Sequence, residues 1–288
     1  MQLVTVHTEL CSVFGNFNDK AWLDVIVRSI KEPIIRGLAL PGFPEPDFQA
    51  RTGGSAGILT LQEAFNFWKI VKIYADSYGI ILNKGSKILD FGCGWGRMTR
   101  FFLRDLPGED VWGVDVGLDM ISQCHKHFRT GHFELVKPTP PTTLPKASFD
   151  IIYAYSVFSH LNEEVSLAWI QELAQLLKPG GLLLVTTQGR RFIDYCEEIR
   201  QKGHPANTWE ETLSQIFIDR DEALEVYDRG EFLHAPTGGG EYLPGSFYGE
   251  TLIPRAYVEQ VWGRILELLD FNDDPLFLPQ ALIVMRKR

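Results

Sequence analysis

The chain has 288 residues, 45% of them hydrophobic, with 37 acidic against 28 basic side chains and a formal net charge of -9. That is enough apolar material for one large domain with additions or two small ones, and the acidic balance argues against a nucleic-acid partner, which takes a concentrated basic surface. No apolar run approaches the roughly 20 residues of a membrane span, the opening MQLVTVHTELCSVFGNF lacks the form of a secretion signal, and Cys11, Cys93, Cys124 and Cys196 form no C-x-x-C pair, so a cytoplasmic protein with reduced, buried thiols and no metal site is expected.

Residues 1–84 read as a helical cap. A loop, LPGFPEPDFQARTGGSAG from Leu40, leads into a helix on which Leu61, Ala64, Phe65, Trp68, Val71 and Ala75 recur at helical spacing, stopping by Gly79. Next, KILDFGCGWGRMTRFF joins the end of a buried strand to the start of a helix at Arg97–Phe102, with Gly92, Gly94 and Gly96 as the turn between them. Val111 to Val116, the run from Phe149 and the run from Gly181 read as further strands, apolar throughout and so covered on both faces. Between the last two lies a helix. Asn162 suits its cap, Glu163 and Glu164 its first turn, Val165, Trp169, Ile170, Leu173, Leu176 and Leu177 its buried stripe, and KPGG from Lys178 its stop.

After Gly189 the spacing predicts two helices, around Phe192–Lys202 and around Trp209–Tyr227, then a glycine-rich stretch, HAPTGGGEYLPGSFYGE from His234. Pro254 suits the first position of a helix and Gly263 its end. Strands from Ile265 and from Gln280, joined by NDDPLFLP, allow an antiparallel pair. Strands alternating with helices of this length make βαβ units and a parallel sheet, so the fold class is α/β, doubly wound.

A strand, a glycine turn and a helix form a crevice for nucleotide-like ligands, because glycine lets the backbone approach the ligand with no Cβ in the way. The dinucleotide fingerprint G-x-G-x-x-G does not fit, since Gly96 comes one position early and Arg97 takes its place. The phosphate-cradling G-x-x-x-x-G-K-[S/T] pattern is absent too. LDFGCGWGR is instead similar to the D-x-G-x-G-x-G motif of class I S-adenosylmethionine-dependent methyltransferases. The resemblance continues in GVDV, ending at Asp115 and Val116, in SFDIIYAYSVFSHL and in LKPGGLLLVTT, so it covers Lys87 to Gly189, and the last two strands fit the family's terminal hairpin. It implies a Rossmann-like, mostly parallel sheet with an antiparallel last strand. The expected organisation is a cap over 1–84, a core of 85–189 with 251–288, and an insertion over 190–250 after the fifth strand.

Roles follow from the resemblance position by position. It implies that Asp115 accepts hydrogen bonds from the cofactor's ribose hydroxyls, that Asp90 orients the glycine loop or reaches the cofactor amine through water, and that Gly92, Gly94 and Gly96 line the methionyl portion. Val116 and Met120 would flank the adenine, and Tyr155 with the backbone of Ala154 would hold the methionine amine. VKPTPPTTLPKASFD departs from the family pattern by having no acid before Asp150, which leaves Thr139 or a main-chain carbonyl for the adenine edge. His160, just after the fourth strand, is the candidate acid-base residue, because imidazole takes up a proton near neutral pH. Its other reading is a histidine that holds the turn. Tyr248 in the insertion is the second catalytic candidate. The insertion, with Tyr195, Tyr227, Tyr242, Phe247, Tyr248, His204 and His234, is expected to form a lid or wall of the acceptor site, or else a helical decoration packing its own aromatics. The implied function is methyl transfer to a small-molecule acceptor. A macromolecular acceptor, and a cofactor-binding protein without turnover, stand beside it.

Overall fold

The computed structural model describes residues 9–239 and 243–288. They divide into two compact units: one runs to Val136 and includes Phe149–Ile151, and the other holds Lys137–Ser148 and Ile152–Arg288.

The first unit opens with helices α1 (Leu10–Phe14) and α2 (Asp19–Arg28), the latter capped by Asn18, whose side chain accepts a hydrogen bond from Ala21 N. A hairpin of β1 (Ile34–Ile35) and β2 (Leu38–Ala39), helix α3 (Pro46–Gly53) and the long α4 (Ile58–Ser77) follow. Helix α4 buries Leu61, Ala64, Phe65, Trp68, Val71 and Ala75, as its spacing predicts. Strand β3 (Ile88–Phe91) is buried along its whole length. The helix after the glycine turn is shorter than expected: α5 covers Thr99–Phe102 alone, because turn geometry persists beyond Gly96. Strand β4 (Val111–Asp115), helix α6 (Leu118–His127) and strand β5 (His132–Leu135) complete the run, with β3–β4 and β4–β5 both parallel. The sequence reading did not separate β5, which is four residues long and partly exposed.

The cap is fastened to α5. Trp22 donates from its indole nitrogen to Phe101 O at 2.9 Å. Arg104, 4% exposed, pairs with Asp19 at 2.8 Å and Asp105 at 2.9 Å, with its guanidinium over the Trp68 ring. Lys72, 3.5 Å from Asp19 and 3.3 Å from Asp105, keeps a cation beside both carboxylates, so losing Arg104 costs hydrogen bonds to charged groups, about 1.5–3 kcal/mol, without stranding a charge. Arg104→Met is therefore expected to destabilise the protein by an amount in that range, read as a lower urea midpoint. A wild-type midpoint would show that the ion pairs contribute little.

The second unit contains the end of β6 (Phe149–Ala154), helix α7 (Glu163–Leu176) and strand β7 (Leu177–Thr187). Asn162 caps α7 by accepting from Val165 N at 2.9 Å. Then come α8 (Arg191–Lys202), α9 (Thr208–Leu213), α10 (Arg220–Asp228), β8 (Leu233–Ala235), β9 (Glu250–Leu252), α11 (Arg255–Gln260), β10 (Glu267–Asn272) and β11 (Ala281–Arg286). The single helix expected around Trp209–Tyr227 is two, because Asn207 and Asp219 each cap a separate start and Phe217 between them has φ +47°. Pro254 precedes α11 as its cap, and Gly263 lies in the 3-10 turn that follows, so the helix is shorter at both ends than expected.

The large sheet has seven strands in the order β10-β11-β7-β6-β3-β4-β5. Strand β11 runs antiparallel to both β7 and β10, which makes it the reversed strand of a mostly parallel sheet. The segment after β7 builds its own small core from Phe192, Ile193, Cys196, Ile199, Leu213, Leu224 and Tyr227, against Leu252. It also leaves and returns at one point, where Gln188 N donates to Thr251 O at 3.1 Å.

Candidate active site

In the first unit the glycine turn is pinned from below. Gly92 N and Cys93 N both donate to Val114 O, at 2.8 and 2.9 Å, and Cys124 Sγ reaches Gly94 O at 3.2 Å. Burial pushes the Cys93 thiol well up, which suits an inert side chain. Gly92, Gly94 and Gly96 have φ of +78°, +54° and +79°, a region L side chains rarely adopt. Two of the glycines serve different needs. A Cβ on Gly96 would lie 2.5 Å from the Phe128 ring, whereas a Cβ on Gly94 would meet nothing within 4 Å. Backbone thus borders open space at Gly94, the kind of bare approach a bound cofactor uses.

Asp115 stands beside it. Oδ2 accepts from Gly94 N at 2.8 Å and Oδ1 from Gly117 N at 2.8 Å. A carboxylate offers about four lone-pair sites, so two remain for a ligand's hydroxyls. Burial raises this carboxyl above the usual aspartate range, and the Gly117 and Gly94 amides oppose the rise. Asp90 is buried, and its Oδ2 accepts from Thr99 Oγ1 at 2.5 Å, which ties the end of β3 to α5. Val116 and Met120 follow Asp115, both half-buried, with Met120 on α6 beside the Gly117 backbone.

Arg100 went unnoticed in the sequence. It is fully buried, donates to Gly96 O, Pro41 O and Gly42 O, and lies over the rings of Phe43 and Trp95 at 4.2 and 4.8 Å. Burial pulls its pKa down to about 9. It clamps the Pro41–Phe43 strap to the exit of the glycine turn.

The second unit holds the other candidates. Thr139 is exposed, while the neighbouring Pro138 carbonyl accepts from the Trp169 indole at 2.9 Å. Tyr155 is buried just past β6. His160 and Tyr248 come together, their rings stacked at 4.9 Å and 14°. His160 Nδ1 lies 2.8 Å from Gly249 O and 3.8 Å from Glu250 Oε2. Glu250, buried, accepts from Gln188 Nε2 at 2.9 Å and Trp209 Nε1 at 3.0 Å. His234 Nδ1 lies 2.8 Å from Thr251 Oγ1, whose own hydrogen goes to Leu161 O, so Nδ1 is the donor and the lone pair sits on Nε2. That Nε2 is buried and finds no hydrogen-bond partner among the described residues. Burial, then the charge of a protonated His160, hold the His234 imidazole below its ordinary range.

The remaining aromatics of the insertion scatter. Tyr195 and Tyr227 belong to its own core, with Tyr227 donating to Asp273 at 3.1 Å; His204 is exposed, Phe247 is half-buried, and Tyr242 lies outside the described residues. Glu250, missed in the sequence, had no local signal: its partners are Gln188, just past β7, and Trp209 on α9, far away along the chain.

Residues 89–183 match the family described as a methyltransferase domain. The chain is 34% identical over 116 residues to the ubiquinone biosynthesis O-methyltransferase of Bradyrhizobium sp., covering 39% of this chain and 44% of that protein. It is 29% identical over 175 residues to the malonyl-[acyl-carrier protein] O-methyltransferase of Halalkalibacterium halodurans, covering 51% and 63%. The matches thus span less than two thirds of those relatives. Among solved structures, magnesium protoporphyrin IX methyltransferase from Synechocystis PCC 6803 with bound SAH aligns with a TM-score of 0.52 at 12% identity, over 84% of this chain and 94% of that one. That likeness is one of fold.

Proposed function

We infer that this chain, which carries a class I S-adenosylmethionine-dependent methyltransferase domain, transfers a methyl group from S-adenosylmethionine to a small-molecule acceptor by in-line displacement. The observation that carries this reading is the bare, positive-φ backbone at Gly94 beside the Asp115 carboxylate, within the D-x-G-x-G-x-G turn. S-adenosylmethionine supplies an activated methyl on a sulfonium. The chain's part is to hold, align and exclude water.

Asp115 accepts the ribose hydroxyls with the lone pairs that Gly94 and Gly117 leave unused. Gly92, Gly94 and Gly96 offer backbone to the methionyl portion, Asp90 keeps the turn on α5 through Thr99, and Val116 and Met120 flank the adenine. Thr139 serves the adenine edge and Tyr155 the methionine amine. His160 takes the acceptor's proton, and Tyr248, stacked on it, fixes the plane of the ring. Residues 190–250 frame the acceptor through His234 and Tyr248, the cap is 1–84, and the core is 85–189 with 251–288. Relatives named for O-methylation, of a quinone pathway and of an acyl carrier protein, support the acceptor class. Among the described residues no helix is long and apolar enough to cross a membrane, and four free thiols suit a reducing cytoplasm.

Incubation with cofactor carrying an isotopically labelled methyl, against a panel of small acceptors, should release S-adenosylhomocysteine and label the acceptor. Tight binding with no turnover on any acceptor would favour a non-catalytic cofactor-binding protein. Asp115→Ala removes two charge-assisted hydrogen bonds, each worth about 1.5–3 kcal/mol, and should weaken cofactor affinity at least about tenfold in calorimetry. Unchanged affinity would sink the ribose assignment.

A further inference from the structure

Ser156 follows β6 with φ +59°, a left-handed backbone that points its N–H at Thr186 Oγ1, 2.8 Å away. Thr186 Oγ1 passes its hydrogen to Gln280 Oε1 at 2.6 Å, which orients the amide so that Gln280 Nε2 donates to Ser156 Oγ at 3.1 Å. The three residues close a ring. Ser156 Oγ then has one hydrogen to give and two neighbours at 3.4 Å, Ser159 Oγ and His160 Nε2. Either hydroxyl of the Ser156–Ser159 pair can donate; with Ser159 donating, the Ser156 hydrogen faces His160 Nε2. On the far side of the imidazole, Nδ1 lies 2.8 Å from Gly249 O, which can only accept. The Gly249 contact assigns the tautomer, hydrogen on Nδ1 and lone pair on Nε2, and the Ser156 contact is compatible with it.

We propose that Ser156, Thr186 and Gln280 are positioning residues that hold His160 in this tautomer with Nε2 turned to accept a proton, and that the acceptor is therefore of a class that loses one, a hydroxyl or an amine. The proposal rests on the reading of His160 as the base. A carboxylate acceptor has no proton to give and would not use such a group. The 3.4 Å approach of Ser156 is long for a hydrogen bond, so the lone pair is aimed without being saturated. The His160 side chain is 17% exposed, which leaves an approach for a small molecule. Glu250 at 3.8 Å, His234 and the stacked Tyr248 are the titratable groups that face it.

Two measurements test this. The first is a long-range proton–nitrogen correlation spectrum of the imidazoles in the full chain, with His160 assigned by its loss in His160→Ala. It should show Nδ1 protonated and Nε2 bare, and an Nε2–H tautomer would overturn the proposal. The second uses Ser156→Gly, which keeps the backbone conformation, and Gln280→Leu. Both should give a mixture of His160 tautomers and a fall in kcat of about tenfold, with KM for S-adenosylmethionine unchanged. Unchanged tautomer and kcat in both variants would overturn it, as would turnover confined to carboxylate acceptors. Full turnover in His160→Ala would remove the base reading and this inference together, a signature distinct from a wrong tautomer in the wild-type spectrum.

Discussion

Gly94→Val is expected to abolish cofactor binding in a protein that still folds. The glycine has φ +54°, where a β-branched residue is strained by about 1–2 kcal/mol. A Cβ there meets no protein atom within 4 Å, so the substitution displaces nothing in the native structure and fills the space left for a ligand. The same strain loosens the Gly94 N–H from Asp115, so the ribose acceptor is disturbed as well. Together these should cost at least about 100-fold in affinity, near 2.7 kcal/mol, and leave no measurable heat in calorimetry at concentrations that saturate the wild type. Gly96→Ala should act first on the fold. Its Cβ would press to 2.5 Å from the Phe128 ring, so it should lower stability directly. A folded Gly94→Val protein with wild-type affinity would move the cofactor elsewhere.

If His160 is the base proposed above, His160→Ala should lower turnover about 10²- to 10⁴-fold while leaving cofactor affinity intact. The sign of the pH effect follows from that role. A general base must be unprotonated to act, so if His160 is that base the rate should fall in acid and the variant should lose that acidic limb. Equal losses of binding and turnover, or an acidic limb that survives, would return His160 to a structural role in its turn.

What could be read in advance was local. Gly92, Gly94 and Gly96 announce a turn because few other residues suit their φ, Asn162 announces a helix start because its side chain replaces a missing backbone acceptor, and the strands around NDDPLFLP lie close enough in sequence to pair. What stayed hidden depended on distance. Ser156 and Gln280 are joined by one hydrogen bond across the length of two strands and an insertion, and nothing near either of them marks the other. Arg100 reads as an ordinary helix cation until the Pro41 and Gly42 carbonyls arrive from the cap. Asp115 ends its strand as the sequence suggests, but its bond to Gly94 is a contact that composition and spacing do not reveal. Tyr195 and Tyr227 carried the same aromatic signal as Tyr248, yet pack in the insertion's own core, because aromatic content does not say which way a ring turns.

The pairing of Gln188 with Thr251 means that some sixty residues depart from the sheet and rejoin it through neighbouring positions, around a hydrophobic interior of their own. Such a segment is mechanically a cassette. Its length can change with little entropic penalty, since each doubling of a loop costs only about 0.6 kcal/mol, and its replacement leaves the strand ladder beneath it intact. If this segment frames the acceptor as proposed, exchanging the stretch between Gln188 and Thr251 for one from another methyltransferase should change what is methylated and leave cofactor affinity unchanged.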